Sequence, residues 1–212
     1  METGKIKIKT VFVSLAVIVA IEVIARFAVS GGADNLLLIL GVARLLETIF
    51  IALTVLILEG SISSIGLAPS GMLFGLKRGL VWSAGFGTMV LLVSAALFAL
   101  GINPTTLVHT RLPAGRNEVV LFFLVGGIVS PVAEEIFFRG IIYSFFRRWG
   151  VFVAVALSTL AFVLAHPAGS GLSQITGGIL FAIAYEKEGN LTVPITIHIL
   201  GNMAIFSLSL MS

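Results

Sequence analysis

Long apolar runs dominate the chain, and short polar or glycine- and proline-containing stretches separate them. A helix that crosses a bilayer needs about 20 mostly apolar residues. Seven runs come close: Val11 to Val29, Leu36 to Leu58, Leu80 to Leu100, Glu118 to Phe146, Val151 to His166, Leu172 to Tyr185 and Leu191 to Leu210. The fourth is longer than a span requires, so it is expected to tilt or protrude, and the sixth is short. Gly31-Gly32, Gly66 to Gly71 with Pro69, Asn103-Pro104, Gly150, Pro167 to Gly171 and Gly189-Asn190 supply the turns. Leu73 to Gly79 reads as a stretch lying along the membrane interface ahead of the third run. The pattern predicts an all-α, polytopic transmembrane helical bundle of about seven spans. It forms a single membrane domain over residues 1–212, with no repeat, low-complexity tract or soluble domain.

Composition identifies the solvent. The chain is 58% hydrophobic and 11% charged, against about 25% charged in an ordinary soluble domain, and its mean hydropathy is +1.14. A chain of 212 residues must expose much of its surface. Here that surface is apolar too, so it faces lipid. The net charge is +3 and the basic residues are scattered or sit at run ends, which argues against a nucleic-acid partner. With no cysteine, disulfides and thiolate metal sites are excluded. Met1 to Lys9 is basic and leads into an apolar run that reaches Ser30 with Glu22 and Arg26 inside it. That predicts a retained first helix, not a cleaved signal. With the N-terminus inside, Lys5, Lys7, Lys9, Lys77, Arg78, Arg147, Arg148 and Lys187 fall on the inner side, and only Arg111 and Arg116 on the outer. The positive-inside rule therefore predicts a multi-pass cell-membrane protein with a cytoplasmic N-terminus and, with seven spans, a C-terminus outside.

Ionisable residues within spans are costly and rare, and each is a functional candidate by default. One set is Glu22 with Arg26 and Arg44 with Glu47, spaced i,i+4 and i,i+3 on one helical face. Mutual neutralisation, or a polar seam between the first two helices, is the favoured reading, with a substrate or lipid contact as the sharper one. The other set is Glu134, Glu135, Arg139, His166, His198 and Asn202. Glu135 and Arg139 can pair along the helix. Glu134 is turned ~100° away and is left for proton transfer. His198 and Asn202 stack on one face and can both donate hydrogen bonds to a common point. Along their helices Glu134 lies ~20 Å from Arg147, His166 ~24 Å from Gly150 and Asn202 ~18 Å from Asn190, so the levels agree. A packing network of interhelical hydrogen bonds is the bland alternative. Two acids and two imidazoles in the last third of the chain favour chemistry.

Glu134-Glu135-Ile136-Phe137-Phe138-Arg139 resembles the EExxxR motif of the CPBP family, the CAAX proteases and bacteriocin-processing enzymes. Phe162 to His166 resembles its FxxxH motif, and His198 to Asn202 resembles its third motif, a histidine followed four residues on by Asn or Asp. The resemblance covers about Glu118 to Asn202, so residues 118–202 are expected to be a protease core and 1–117 variable N-terminal helices. It implies a glutamate-dependent intramembrane endopeptidase. Glu134 and His166 would activate water, His198 and Asn202 would form an oxyanion hole, and Glu135 and Arg139 would support the site. The implied substrate is a membrane-associated protein or peptide: a prenylated CAAX tail, a bacteriocin-type leader or the C-terminal anchor of an exported protein. A polar cavity must bring water from one face. Zinc held by Glu134 and the two histidines is the mechanistic alternative. Metal-free chemistry is favoured, because Glu134 and Asn202 have acid–base and donor roles that need no ion. A membrane scaffold or immunity factor using the same network, and a small proton-linked transporter, are the non-protease readings; transport lacks a pair of matching halves. His109 reads as a surface residue, Gly126-Gly127 and Gly177-Gly178 as close-packing positions, and Pro131 and Pro194 as kinks near the site.

Overall fold

The computed structural model describes residues 6–32, 35–107, 110–166 and 171–211; His109 and the turn at 167–170 lie outside the described residues. Seven helices account for the apolar runs, and the described residues contain no strand. They are α1 (Ile8–Ser30), α2 (Leu36–Glu59), α3 (Met72–Ala99), α4 (Arg116–Trp149), α5 (Val151–Leu164), α6 (Gly171–Glu188) and α7 (Thr192–Ser209). Among them α1, α2, α3 with the turn that precedes it, α4 and α7 are long and apolar enough to cross a membrane. The 14-residue α5 is shorter than a span, and α6 ends in the charged run Glu186, Lys187, Glu188. Large apolar side chains face outward, among them Phe27, Leu91 and Phe152. Such a surface suits lipid, where their exposure carries no hydrophobic cost.

The third helix starts earlier than its apolar run. Leu73 to Gly79, expected along the interface, instead form the first turns of α3. Their glycines are the reason. A Cβ at Gly75 would sit 2.7 Å from the Thr192 Cβ, and one at Gly79 would sit 2.5 Å from the Thr196 Cβ. Without side chains there, α3 lies directly against α7, the close packing that small residues allow in membranes. Gly79→Ala is expected to destabilise the protein by about 1–3 kcal/mol through overpacking. Thermal unfolding in detergent would check this, with Gly85→Ala as the neutral control, because a Cβ at Gly85 meets nothing within 4 Å.

The fourth helix is long and internally irregular. A six-residue α-helical stretch, Ser130–Glu135, sits between two π-helical turns, Val125–Val129 and Ile136–Tyr143. Wider turns of this kind re-aim side chains and free carbonyls, and they are frequent at functional sites. Pro131 has no N–H to give the preceding turn, and the nearby Gly126 carbonyl takes an outside donor, the Asn202 amide, at 2.9 Å.

Several basic residues gather at one end of the bundle, where they tie helices together. The Lys7 amine donates to the Leu58 carbonyl, Thr10 donates to Glu59, and Arg148 donates to the Ile6 carbonyl. Arg78 forks onto Glu188 at 2.7 and 2.9 Å with Trp82 donating to the same carboxylate. Glu186 takes Arg147 and Tyr143. The apolar core above these ties is built around the second half of α4, with Ile136, Ile141 and Tyr143 fully packed against Ile65, Tyr185 and Leu191.

Candidate active site

Glu134 and Glu135 leave the middle of α4 in different directions. Glu135 is fully buried and its Oε1 accepts two hydrogen bonds, from Arg139 Nη1 at 2.9 Å and from His198 Nδ1 at 2.8 Å. Arg139 is also fully buried. Its Nη2 reaches the Gly178 carbonyl of α6 at 3.2 Å, and its guanidinium lies over the rings of Phe162 and Phe181 at 4.6 and 5.2 Å. This one ion pair therefore joins α4 to α5, α6 and α7. Two buried polar atoms, Glu135 Oε2 and Arg139 Nε, have no hydrogen-bond partner among the described residues.

Each histidine has its Nδ1 occupied. His166 Nδ1 lies 2.7 Å from the Phe162 carbonyl, which can only accept, so the proton sits on Nδ1. His198 Nδ1 faces the Glu135 carboxylate in the same way. In the neutral form of each ring, Nε2 then carries a lone pair. Both Nε2 atoms point at one carboxylate oxygen: His166 Nε2 and His198 Nε2 are each 3.8 Å from Glu134 Oε2. That distance is too long for a hydrogen bond and suits a shared small molecule. Aromatic rings hold the imidazoles in place. His198 stacks on Phe181 at 4.6 Å, and His166 lies 4.5 Å from Phe162. Side-chain exposure is graded, with His166 at 24%, Glu134 at 17% and His198 at 7%, so the cluster is reached from the His166 side.

Of the six residues singled out in this region, Glu134, His166 and His198 meet around one point, and Glu135 with Arg139 buttress it from behind. Asn202 lies one turn along α7 from His198, but its amide is engaged with the Gly126 carbonyl and makes no hydrogen bond to Glu134, His166 or His198. One of its two N–H groups remains for another acceptor. Gly126 is a residue that spacing did not reveal. Its role comes from the π turn and from Pro131, and neither has a periodic signature.

The other set of intramembrane charges builds the expected polar seam between the first two helices, with one pairing exchanged. Arg44 does pair with Glu47, at 2.6 Å. Glu22, however, pairs with Arg44 on the neighbouring helix at 3.0 Å, and no ion pair joins it to Arg26 among the described residues. The cause is Glu47, 2% exposed, which anchors Arg44 beside α1. The flat guanidinium can serve two carboxylates at once, so the partner across the helix interface wins over the one along α1. Close packing sets α2 against α4: a Cβ at Gly41 of α2 would lie 2.8 Å from a Val125 methyl of α4.

Residues 116–204 match the family model described as type II CAAX prenyl endopeptidase Rce1-like. The match spans α4 to α7 and contains all three site-bearing motifs. Among curated proteins, the chain is 28% identical to an uncharacterized 24.3 kDa protein of Escherichia coli, over 62% of this chain and 65% of that protein. It is 25% identical to YdiL of Bacillus subtilis, named as a candidate membrane peptidase, over 94% of this chain and 86% of that one. It is 32% identical to the membrane-embedded CAAX protease MroQ of Staphylococcus aureus, over 43% of this chain and 41% of that one. The chain thus spans less than two thirds of the length of two of these three relatives. No solved structure matches it.

Proposed function

We propose that this Rce1-like membrane protein is an intramembrane endopeptidase in which Glu134 and His166 activate water. The observation that carries the reading is the approach of two imidazole Nε2 atoms, from His166 and His198, to within 3.8 Å each of one partly exposed carboxylate oxygen, Glu134 Oε2. A water there would donate one proton toward Glu134 and the other toward His166 Nε2, leaving its oxygen lone pair aimed at a substrate carbonyl. As the C–O bond forms, Glu134 takes the water proton and then delivers it to the departing amide nitrogen, so the carboxylate is regenerated with each turnover. Phe162 and Glu135, by engaging the two Nδ1 atoms, keep both rings in the tautomer this requires.

The developing oxyanion needs donors. Asn202 has a free N–H. His198 can donate from Nε2 only as the imidazolium, with Glu135 as its counter-charge, so its oxyanion role depends on protonation, whereas that of Asn202 does not. The substrate is a membrane-associated protein or peptide. The N-terminus faces the cytoplasm, and the basic end of the bundle lies at the cytoplasmic surface.

A zinc ion is the second reading, and one feature favours it. The donor types, two Nε2 lone pairs and a carboxylate oxygen with each imidazole backed at Nδ1 by an acceptor, are ones zinc accepts, although among the described residues no three such groups are arranged to hold a metal ion. Bound there by Glu134, His166 and His198, zinc would supply Lewis-acid activation of water. Purified protein in detergent, given a fluorogenic membrane-anchored peptide, separates the readings. Cleavage that persists after exhaustive chelation and vanishes in His166→Ala supports the metal-free mechanism. Cleavage lost on chelation and restored by zinc would replace it. No cleavage of any anchored peptide, and no processing in cells, by a well-folded protein would remove the protease reading.

A further inference from the structure

Asn202 lies one turn, about 6 Å, along α7 from His198, and a backbone oxygen of α4 holds its amide. The Gly126 carbonyl accepts one of its N–H groups at 2.9 Å. A carbonyl inside a helix is ordinarily taken by the N–H four residues on, or five residues on in a π turn. Neither serves Gly126. Ser130, at i+4, gives its N–H to the Val125 carbonyl, and Pro131, at i+5, has none to give. The wide turn and the proline that follows it together leave this carbonyl open to a side chain from outside α4.

Packing brings α7 to that oxygen. A Cβ at Gly126 would lie 3.3 Å from the Phe206 ring, and one at Gly127 would lie 2.7 Å from the Met203 methyl. Asn202 and Phe206 share one face of α7 at i,i+4, so the bare backbone of Gly126 is received between them. Phe122 and Phe123, on the turn before, hold the Phe206 ring at 4.7 and 5.5 Å. A carbonyl oxygen only accepts, so the Asn202 NH2, not its oxygen, faces Gly126. In a planar amide that also fixes the direction of the second N–H.

We propose that Gly126 and Pro131 are positioning residues for the reaction: with the π turn between them, they aim the free N–H of Asn202 at the oxygen of the tetrahedral intermediate. A donor set in advance need not reorganise as charge develops, which is what makes such groups effective. His198 is aimed by a carboxylate, Glu135, whereas Asn202 is aimed by backbone, so its direction is independent of any protonation state. This rests on the protease reading for the event served, but the aim of the amide is measurable without cleavage.

Pro131→Ala places an N–H beside the Gly126 carbonyl, where it competes with Asn202, and alanine suits a helix interior better than proline. In detergent, nitrogen-15 asparagine labelling displays the side-chain amides of Asn35, Asn103, Asn117, Asn190 and Asn202, and Asn202→Ala identifies the pair from residue 202. We expect one Asn202 amide proton to exchange slowly with solvent in the parent protein. In Pro131→Ala that protection should fall about tenfold, the factor carried by one hydrogen bond. The kcat for an anchored peptide should fall about tenfold or more, short of the 10²–10³-fold cost of deleting an oxyanion donor, with KM and the melting temperature held. In an Asn202→Ala background, Pro131→Ala should have no further effect on kcat. Four results would overturn the proposal: no protected Asn202 proton in the parent, protection or kcat unchanged in Pro131→Ala, losses that multiply in the double variant, or a collapsed melt that makes the proline structural. If the protection behaves as expected while the parent never cuts an anchored peptide, the protease reading fails and the aiming of Asn202 stands.

Discussion

Glu134→Gln is expected to lower the rate of peptide cleavage by about 10²–10⁴-fold, the usual contribution of a positioned acid–base group, while leaving the fold intact. The two halves of this expectation have separate causes. Chemically, the amide cannot take a proton from water, so the only carboxylate facing both Nε2 atoms is lost. Structurally, Glu134 makes no hydrogen bond among the described residues, its nearest polar approaches being the two histidines at 3.8 Å, so the isosteric amide removes no bond seen to hold helices together. The measurement is a kcat for an anchored peptide beside a thermal melt of the same preparation. Retained kcat with an unchanged melt would assign the proton transfer to another group. A collapsed melt would show that Glu134 is structural.

The largest effect on stability is expected at Arg139. Replacing it with leucine leaves Glu135 as an uncompensated buried charge, which costs about 3–5 kcal/mol, and it releases the Gly178 carbonyl and two aromatic faces. Arg139→Lys should recover only part of this, because a point charge cannot reach Glu135 and Gly178 in one plane. The double change Glu135→Leu with Arg139→Leu should cost less than the sum of the single ones, as expected for two residues in one network. Melting temperatures of the four proteins in one detergent give the cycle. Additive losses would mean that the pair does not act as a unit.

Much of this architecture is legible in the chain, and the legible part has a common cause. A span in lipid must be a continuous apolar helix, so α1, α2, α4 and α7 announce themselves. An i,i+4 pair such as Glu135 and Arg139 meets whatever surrounds it. The meeting of Glu134 with His166 and His198 is different, because spacing within a helix says nothing about which helices are neighbours. There the resemblance of three motifs supplied the expectation and the coordinates supplied the distances. What stayed hidden depended on contacts between helices. For Glu22 a seam between the first two helices was expected, but the choice of Arg44 over Arg26 needed the contact itself. Leu73 to Gly79 looked interfacial because glycine and basic residues interrupt the apolar run, yet those glycines exist to admit α7. The π turns of α4 follow no apolar period, so the freeing of the Gly126 carbonyl for Asn202 could not be read from spacing.

The polar ties at the basic end have a mechanical consequence. Lys7, Arg78, Arg147 and Arg148 fasten helix termini there with charged or charge-assisted bonds. Toward the other end, α4 and α7 meet through Phe122, Phe123 and Phe206 and through Met203 against Gly127, with the Asn202–Gly126 hydrogen bond beside them. Apolar contacts of that kind compete with lipid tails of equal apolarity, so they bind less firmly than the ionic ties. The bundle is thus built like a pair of tongs, pinned where it is most polar. A given angular fluctuation moves atoms further the more distant they are from the pin, so motion of the helices is expected to be smallest at the base and largest at the far end.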